Sequence, residues 1–124
     1  MFEISLGSIF LKHYPNFPEA DKNKIDSFIE HYQEFGFTGL TGKNVDSSNV
    51  STDDPDFIKK VKYAIQNNLW HYHIGIPEYT LSNCGTYSTS EYVIHYQKIS
   101  DYEIKIIDFS PHPPFILPTQ QYLK

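Results

Sequence analysis

The residues of this chain best suited to take part in chemistry are two histidines that flank one tyrosine, in the stretch LWHYHIGIPEY from Leu69 to Tyr79. Side chains alternate along a β-strand, so His71 and His73 share one face if this stretch is extended. Imidazole titrates near neutral pH and also binds metals, so it suits both proton transfer and coordination. The stretch therefore predicts a strand face on which histidines are available for chemistry.

Two later runs are expected to extend this face. EYVIHYQKI at 91–99 and YEIKIIDFS at 102–110 are both strand-like, and in each the more apolar alternate set is expected to point into the core. That choice gathers six polar side chains on the opposite face: His71, His73, His95, Gln97, Glu103 and Lys105. His112 follows the last run and could overhang the same surface. The pattern predicts a concentration of acid–base groups on one side of a sheet.

Three interpretations of this face remain open. The first is a metal site, since His71, His73 and His95 could present three imidazoles to one ion, although no carboxylate is placed as a fourth ligand. The second is acid–base chemistry on a polyanion, with histidines moving protons and Lys98 or Lys105 stabilising charge on phosphate. In the third, the histidines make hydrogen bonds on an open, solvated sheet face.

The elements before these strands are expected to support the sheet. Residues 2–12 are predicted to form a first strand. A first helix is predicted between a cap at Asn16 and a stop at Gly36, with its apolar residues at helical spacing and His31 on its polar side. A second helix is predicted to begin at 52–55, after a connection rich in Gly, Ser, Asn and Asp.

Together these elements predict an α+β fold of one domain over residues 1–124. Its order is β-α-α-β-β-β, with both helices packed on one face of a largely antiparallel sheet. The last two strands are expected to form a hairpin that reverses at Ser100 and Asp101. Lys59, Lys60 and Lys62 lie on or beside the exposed side of the second helix and form the one local cluster of positive charge.

Composition restricts the partners of this fold. The formal net charge is -5, and all 10 basic residues are lysine. Because nucleic-acid binders usually carry a basic patch and use arginine on phosphate, an autonomous RNA- or DNA-binding domain is disfavoured. No apolar run is long enough to span a membrane, no signal peptide is evident, and the single cysteine cannot form an internal disulfide, so a cytoplasmic protein is expected.

The segments LWHYHIGI, SEYVIHYQ and YEIKIIDFSPHPPF, in that order, resemble the YafO family of type II toxin–antitoxin toxins, within the RelE-like superfamily of ribosome-dependent mRNA endonucleases. The resemblance covers residues 54–117, and the first strand and first helix fit the family by layout. It implies a RelE-like fold and a small toxin that cleaves mRNA in the ribosomal A site. A cognate antitoxin, the ribosome and mRNA are the implied partners, and no membrane is involved.

The chemistry that this resemblance implies needs no metal and no cofactor. The 2′-hydroxyl attacks the adjacent phosphorus and leaves a cyclic phosphate or a 3′-phosphate. On the matched positions the resemblance implies five catalytic residues, His71, His73, His95, His112 and Lys105, and three substrate-binding residues, Lys98, Gln97 and Tyr72. Many RelE-like toxins place arginine at the scissile phosphate, so lysine and histidine would carry that charge here. The alternatives are a non-catalytic protein that blocks a protein target, and a histidine-rich metal-binding domain.

Overall fold

The computed structural model describes residues 2–81, 88–111 and 116–124. Its helices are α1 (Ser8–His13), α2 (Glu19–Phe35) and α3 (Phe57–Gln66), with 3-10 turns at Tyr14–Asn16 and Gln120–Leu123. Its strands are β1 (Glu3–Leu6), β2 (Asn44–Asp46), β3 (Leu69–Ile76), β4 (Thr80–Leu81), β5 (Ser88–Thr89), β6 (Tyr92–Ser100) and β7 (Glu103–Pro111). Within these ranges, no helix is both long and apolar enough to cross a membrane.

Five strands form one mixed sheet in the order β1-β7-β6-β3-β2, and β4 pairs with β5 in a separate ribbon. β1 runs parallel to β7, whereas the other neighbouring strands of the large sheet are antiparallel. The expected hairpin joins β6 to β7, with Ser100 paired to Glu103 across the turn. The α+β class and the largely antiparallel sheet are thus confirmed.

One side of the sheet, here called the aromatic face, packs against α2. Its main strand residues are Trp70, Tyr72, Ile74, Ile94 and Tyr96, and α2 adds Ile25, Phe28 and Tyr32 at helical spacing. The Phe28 and Tyr72 rings stack with their centroids 5.0 Å apart. Gly36 ends α2 with a φ of 65°, a value that favours glycine. The first helix is therefore confirmed, although it begins at Glu19 and Asn16 lies in the preceding 3-10 turn.

The other side, here called the histidine face, carries Leu69, His71, His73 and His95. The prediction that both long helices share one face is wrong, because α3 packs on this side through Ala64, which contacts the buried Leu69 and Ile107. Those two apolar side chains point away from the aromatic face. Another element must pack on the histidine face to remove them from water. The sheet is therefore enclosed by helices on both of its sides.

The prediction of one strand over residues 2–12 is also wrong. β1 ends at Leu6, and α1 begins at Ser8 with the amide of Leu11 donating to the Gly7 carbonyl at 2.9 Å. Phe10 and Tyr14 lie one helical turn apart, and their ring centroids are 6.3 Å apart. The apolar residues of this segment fit a helical period as well as a strand period, which is why short runs of this kind are ambiguous.

Gly42 generates a stability prediction, because its backbone approaches β3 closely. A Cβ atom at this position would lie 1.8 Å from the His73 carbonyl oxygen and 2.8 Å from the Tyr72 ring. We expect Gly42→Ala to lower the free energy of unfolding by at least ~2 kcal/mol, since backbone must move to relieve the overlap. Denaturant unfolding followed by circular dichroism measures the loss.

Gly39→Ala is the matched control for this substitution. Gly39 has a φ of 85°, but its Cβ would meet only the His31 ring at 3.5 Å, an ordinary contact. The expected cost is about 1 kcal/mol, from the backbone conformation alone. Equal losses in the two variants would contradict the close approach at Gly42.

Candidate functional site

Three histidines meet on the histidine face. His71 lies directly opposite His95 in the β3–β6 register, and their ring centroids are 6.0 Å apart. The His71 and His73 rings are 5.8 Å apart. The strand alternation used to group these residues is therefore correct, and the imidazoles form one cluster.

The histidine cluster is buried. His71, His73 and His95 have exposed fractions of 3%, 6% and 1%. The open, solvated face of the third interpretation is therefore wrong, since all three rings are removed from solvent. Imidazoles this inaccessible cannot contact a strand of RNA unless the segments around them move.

Each imidazole has a serine as a polar neighbour. His71 Nδ1 lies 2.9 Å from the Ser47 hydroxyl, and His95 Nε2 lies 2.9 Å from the Ser110 hydroxyl. His73 Nδ1 lies 3.2 Å from the amide nitrogen of Ser90 and 2.9 Å from its carbonyl oxygen. Buried polar groups require such partners, because leaving one unpaired costs about 1–3 kcal/mol. The serines come from three separate segments, so the cluster ties β7 and the residues that directly follow β2 and β5 to the central strands.

The metal-site interpretation finds no support in this geometry. Within the described ranges, no group of three or more His, Cys, Asp or Glu side chains is arranged to hold a metal ion. One nitrogen of each clustered imidazole is instead directed at a serine. The arrangement is that of a hydrogen-bonded protein interior.

The two lysines proposed to stabilise charge do not converge. Lys98 Nζ lies 5.1 Å from the centroid of the Trp70 ring, on the aromatic side, and 3.8 Å from an Asp101 carboxylate oxygen. Lys105 lies on the histidine side and its ammonium donates to the Leu123 carbonyl in the C-terminal turn. The sheet separates the two positive charges, so they cannot act on one phosphate.

The remaining predicted site residues are dispersed. Gln97 pairs with Lys105 in the β6–β7 register, and its amide donates to the Asn67 carbonyl at 3.1 Å. Tyr72 is buried on the aromatic face, where it is part of the core. His112 lies outside the described residues. The predicted site thus divides into a central imidazole cluster, a peripheral pair on the same face, and two residues on the opposite face.

Asp108 is a partly buried carboxyl that the predictions from the sequence did not include. A register shift between His95 and Tyr96 places Asp108 directly opposite His95. Burial raises the pKa of Asp108, while the hydrogen bond from the Phe109 amide and the charge of His13 act in the opposite direction. Strict alternation does not reveal this residue, because the bulge in β7 is invisible in the residue pattern.

Comparison with known proteins identifies no relative of this chain. No protein-family model, no curated protein and no solved structure matches it. The class that the fold itself defines is an α+β protein with a mixed five-stranded sheet and helices on both sides.

Burial of the cluster leads to a stability prediction for His71. We expect His71→Ala to lower the free energy of unfolding by about 2–4 kcal/mol, because it leaves a cavity and removes the partner of the Ser47 hydroxyl. The exposed His13→Ala is the control, with an expected change within about 0.5 kcal/mol. Urea unfolding of both variants distinguishes a buried cluster from a solvated one, for which the two losses would be alike.

Asp108 leads to a pH prediction. The folded state holds its proton more tightly than the unfolded chain, whose carboxyl has a pKa of 3.8. Stability therefore falls as pH rises from that value through the raised pKa of the folded state. Asp108→Asn keeps the oxygen that accepts from the Phe109 amide and removes the partly buried charge, so we expect a higher melting temperature at pH 7.

The gain from Asp108→Asn is expected to shrink as pH falls towards 4, because the carboxyl of the folded state then binds a proton and no longer carries a charge. Thermal unfolding between pH 3.5 and 7.5 measures the difference from wild type. Asp101→Asn, at a side chain that is 84% exposed, serves as the control. A gain that does not depend on pH, or one that Asp101→Asn reproduces, would contradict a buried charge at Asp108.

Proposed function

We propose that this protein is a type II toxin of the YafO kind, which cleaves mRNA on the ribosome, inhibits translation, and is neutralised by a cognate antitoxin. The observation that carries the proposal is that the three segments resembling YafO toxins lie side by side in the sheet, with His71, His73 and His95 clustered on two of them. The segments that resemble YafO toxins correspond to β3, β6 and β7, which are contiguous in the sheet.

The order of elements adds support for a RelE-like arrangement, which is part of this proposal. When the short elements α1, β2, β4 and β5 are set aside, the chain runs β1, α2, α3, β3, β6, β7. This is the β-α-α-β-β-β order that the resemblance implies. The parallel pairing of β1 with β7 brings the first and last of these strands together.

The proposed reaction has three requirements. A base takes the proton of the 2′-hydroxyl as its oxygen bonds to phosphorus, an acid protonates the departing 5′-oxygen, and positive charge stabilises the phosphorane. His112 is our candidate for the acid–base group that meets the RNA, since it follows Ser110, the partner of His95, by two residues. Lys105 supplies positive charge on the histidine face.

The buried imidazoles have a positioning role in this proposal. His71, His73 and His95 lie beneath the surface and hydrogen-bond to the segments around them, so they fix the strands that carry the reacting groups. If substrate binding displaces the cover over the histidine face, the same imidazoles become available for proton transfer. Gln97 would then lie at the edge of the substrate path, whereas Lys98 and Tyr72 lie on the other side of the sheet and have no role at this site.

Charge determines how the RNA is delivered. A chain with a net charge of -5 and no arginine is unsuited to hold RNA alone. We therefore propose that the ribosome presents the mRNA and that the toxin acts in the cytoplasm. The salt-sensitive, sequence-independent RNA binding of a basic nuclease is not expected of the isolated protein.

Burial of the cluster favours one second candidate function, a non-catalytic inhibitor. Such a protein would occlude a protein target through its surface, and the imidazoles would serve stability alone. It predicts growth arrest with intact mRNA, whereas the nuclease predicts new mRNA ends.

Inducible expression in a bacterial host, with primer extension on a reporter mRNA, tests the proposal. We expect growth arrest and new 5′ ends inside translated codons, and these ends should vanish when translation of that message is blocked. His112→Ala should abolish the new ends while leaving the melting temperature unchanged, and the exposed His13→Ala should leave both unchanged. Arrest without cleavage would reject the nuclease, and full cleavage by His112→Ala would reject the assigned residue.

A further inference from the structure

A recess lies on the aromatic side of the sheet, between α2 and the second half of β3. Its volume is ≈ 290 Å³, close to the lower limit of small-molecule sites, which is about 300 Å³. Four of its lining residues, Lys24, Ser27, Phe28 and His31, follow one face of α2 at intervals of three and four. Leu40 and Ile74 add apolar walls. The recess is separate from the histidine face, because β3 stands between them.

Lys24 places a positive charge at this recess. Its ammonium donates to the carbonyl of Gly75 and, at 3.0 Å, to the carbonyl of Pro77. No carboxylate in the described part of the chain forms an ion pair with it. An ammonium has three N–H donors, so one remains after the two carbonyls are served. The Lys24 ammonium is thus held at the recess by two carbonyls and has one N–H left to donate to a ligand.

Two tyrosine hydroxyls supply a second donor. The hydroxyls of Tyr72 and Tyr79 lie 2.9 Å apart, and the Gly42 amide donates to Tyr72 at 3.0 Å. The pair has two protons and needs one for its mutual bond, so the other can be donated to a ligand. Burial, followed by the bond to Tyr72, raises the pKa of Tyr79 and keeps its hydroxyl protonated.

His31 contributes an acceptor to the same wall. Its Nε2 lies 2.6 Å from the Thr38 carbonyl oxygen, which can only accept, so Nε2 carries the proton. In the neutral ring Nδ1 is then an acceptor. His31, which the sequence places on the polar side of the first helix, thus also bonds to the loop after α2 and borders the recess.

We propose that this recess binds a small planar ring bearing an anionic group. The anion would lie at the Lys24 ammonium, and the ring would pack between Phe28, Leu40 and Ile74. The tyrosine hydroxyl and His31 would hydrogen-bond to polar atoms at the edge of the ring. A nucleoside monophosphate and an aromatic carboxylate share this chemistry. The inference does not depend on the proposed nuclease activity.

Titration of the 15N-labelled full chain by NMR tests this site. The planar anions are 5′-AMP and benzoate, and the controls are adenosine, which lacks the anion, and inorganic phosphate, which lacks the ring. We expect saturable shifts of the Ser27 and Ile74 amides with at least one planar anion, and at least ~10-fold weaker binding of both controls. The better of the two planar anions identifies the source of the ligand. No saturation with either, or equal binding of inorganic phosphate, overturns the proposal.

Substitutions locate the binding. Lys24→Gln removes the charge and should weaken binding of the planar anion by ~10-fold or more. Lys22→Gln is the matched control on the same helix, where Lys22 pairs with Glu19 at 3.2 Å, and it should change affinity less than about twofold. Ser27→Trp, at an exposed position on the rim, should block the recess without altering the core. Unchanged affinity in Lys24→Gln or in Ser27→Trp overturns the assignment.

Discussion

The pairing of β3 with β6 is the constraint on which the rest of this structure depends. Its register sets Tyr72 and Ile74 against α2 and directs His71 and His73 to the opposite side, beside His95. Both sides of the sheet are covered by helices, so a slip of one residue would exchange a stacked aromatic core for imidazoles. Side chains alternate between the two sides of β3. This alternation therefore places the histidine cluster on one side and the recess beside α2 on the other.

Much of the framework could be predicted from the sequence, because its signals are periodic. Apolar residues that recur every second position predict β3 and the β6–β7 hairpin. Apolar residues that recur every three or four positions predict α2. The position of α3 could not be predicted in this way, since the apolar stripe of a helix does not determine which side of the sheet the helix packs against. Leu69 and Ile107 were the available signal, as apolar residues on the face assigned to polar groups. The β7 bulge at Asp108 leaves no such signal.

The candidate site shows the same division between local pattern and tertiary packing. Alternation was sufficient to gather three histidines on one face. Their burial does not follow from alternation, and their serine partners lie 15 to 24 residues away in the sequence. A buried imidazole is tolerated only with such partners, so the cost of desolvation is offset by hydrogen bonds that also hold the sheet to its edges. The three histidines therefore contribute to the stability of the sheet.

The most direct test of the proposed function uses purified protein with ribosomes programmed with a defined mRNA, and with the same mRNA alone. The account predicts cuts at the A-site codon only when ribosomes are present, leaving a 2′,3′-cyclic phosphate or a 3′-phosphate on the upstream fragment. Intact mRNA in the presence of translating ribosomes would contradict it.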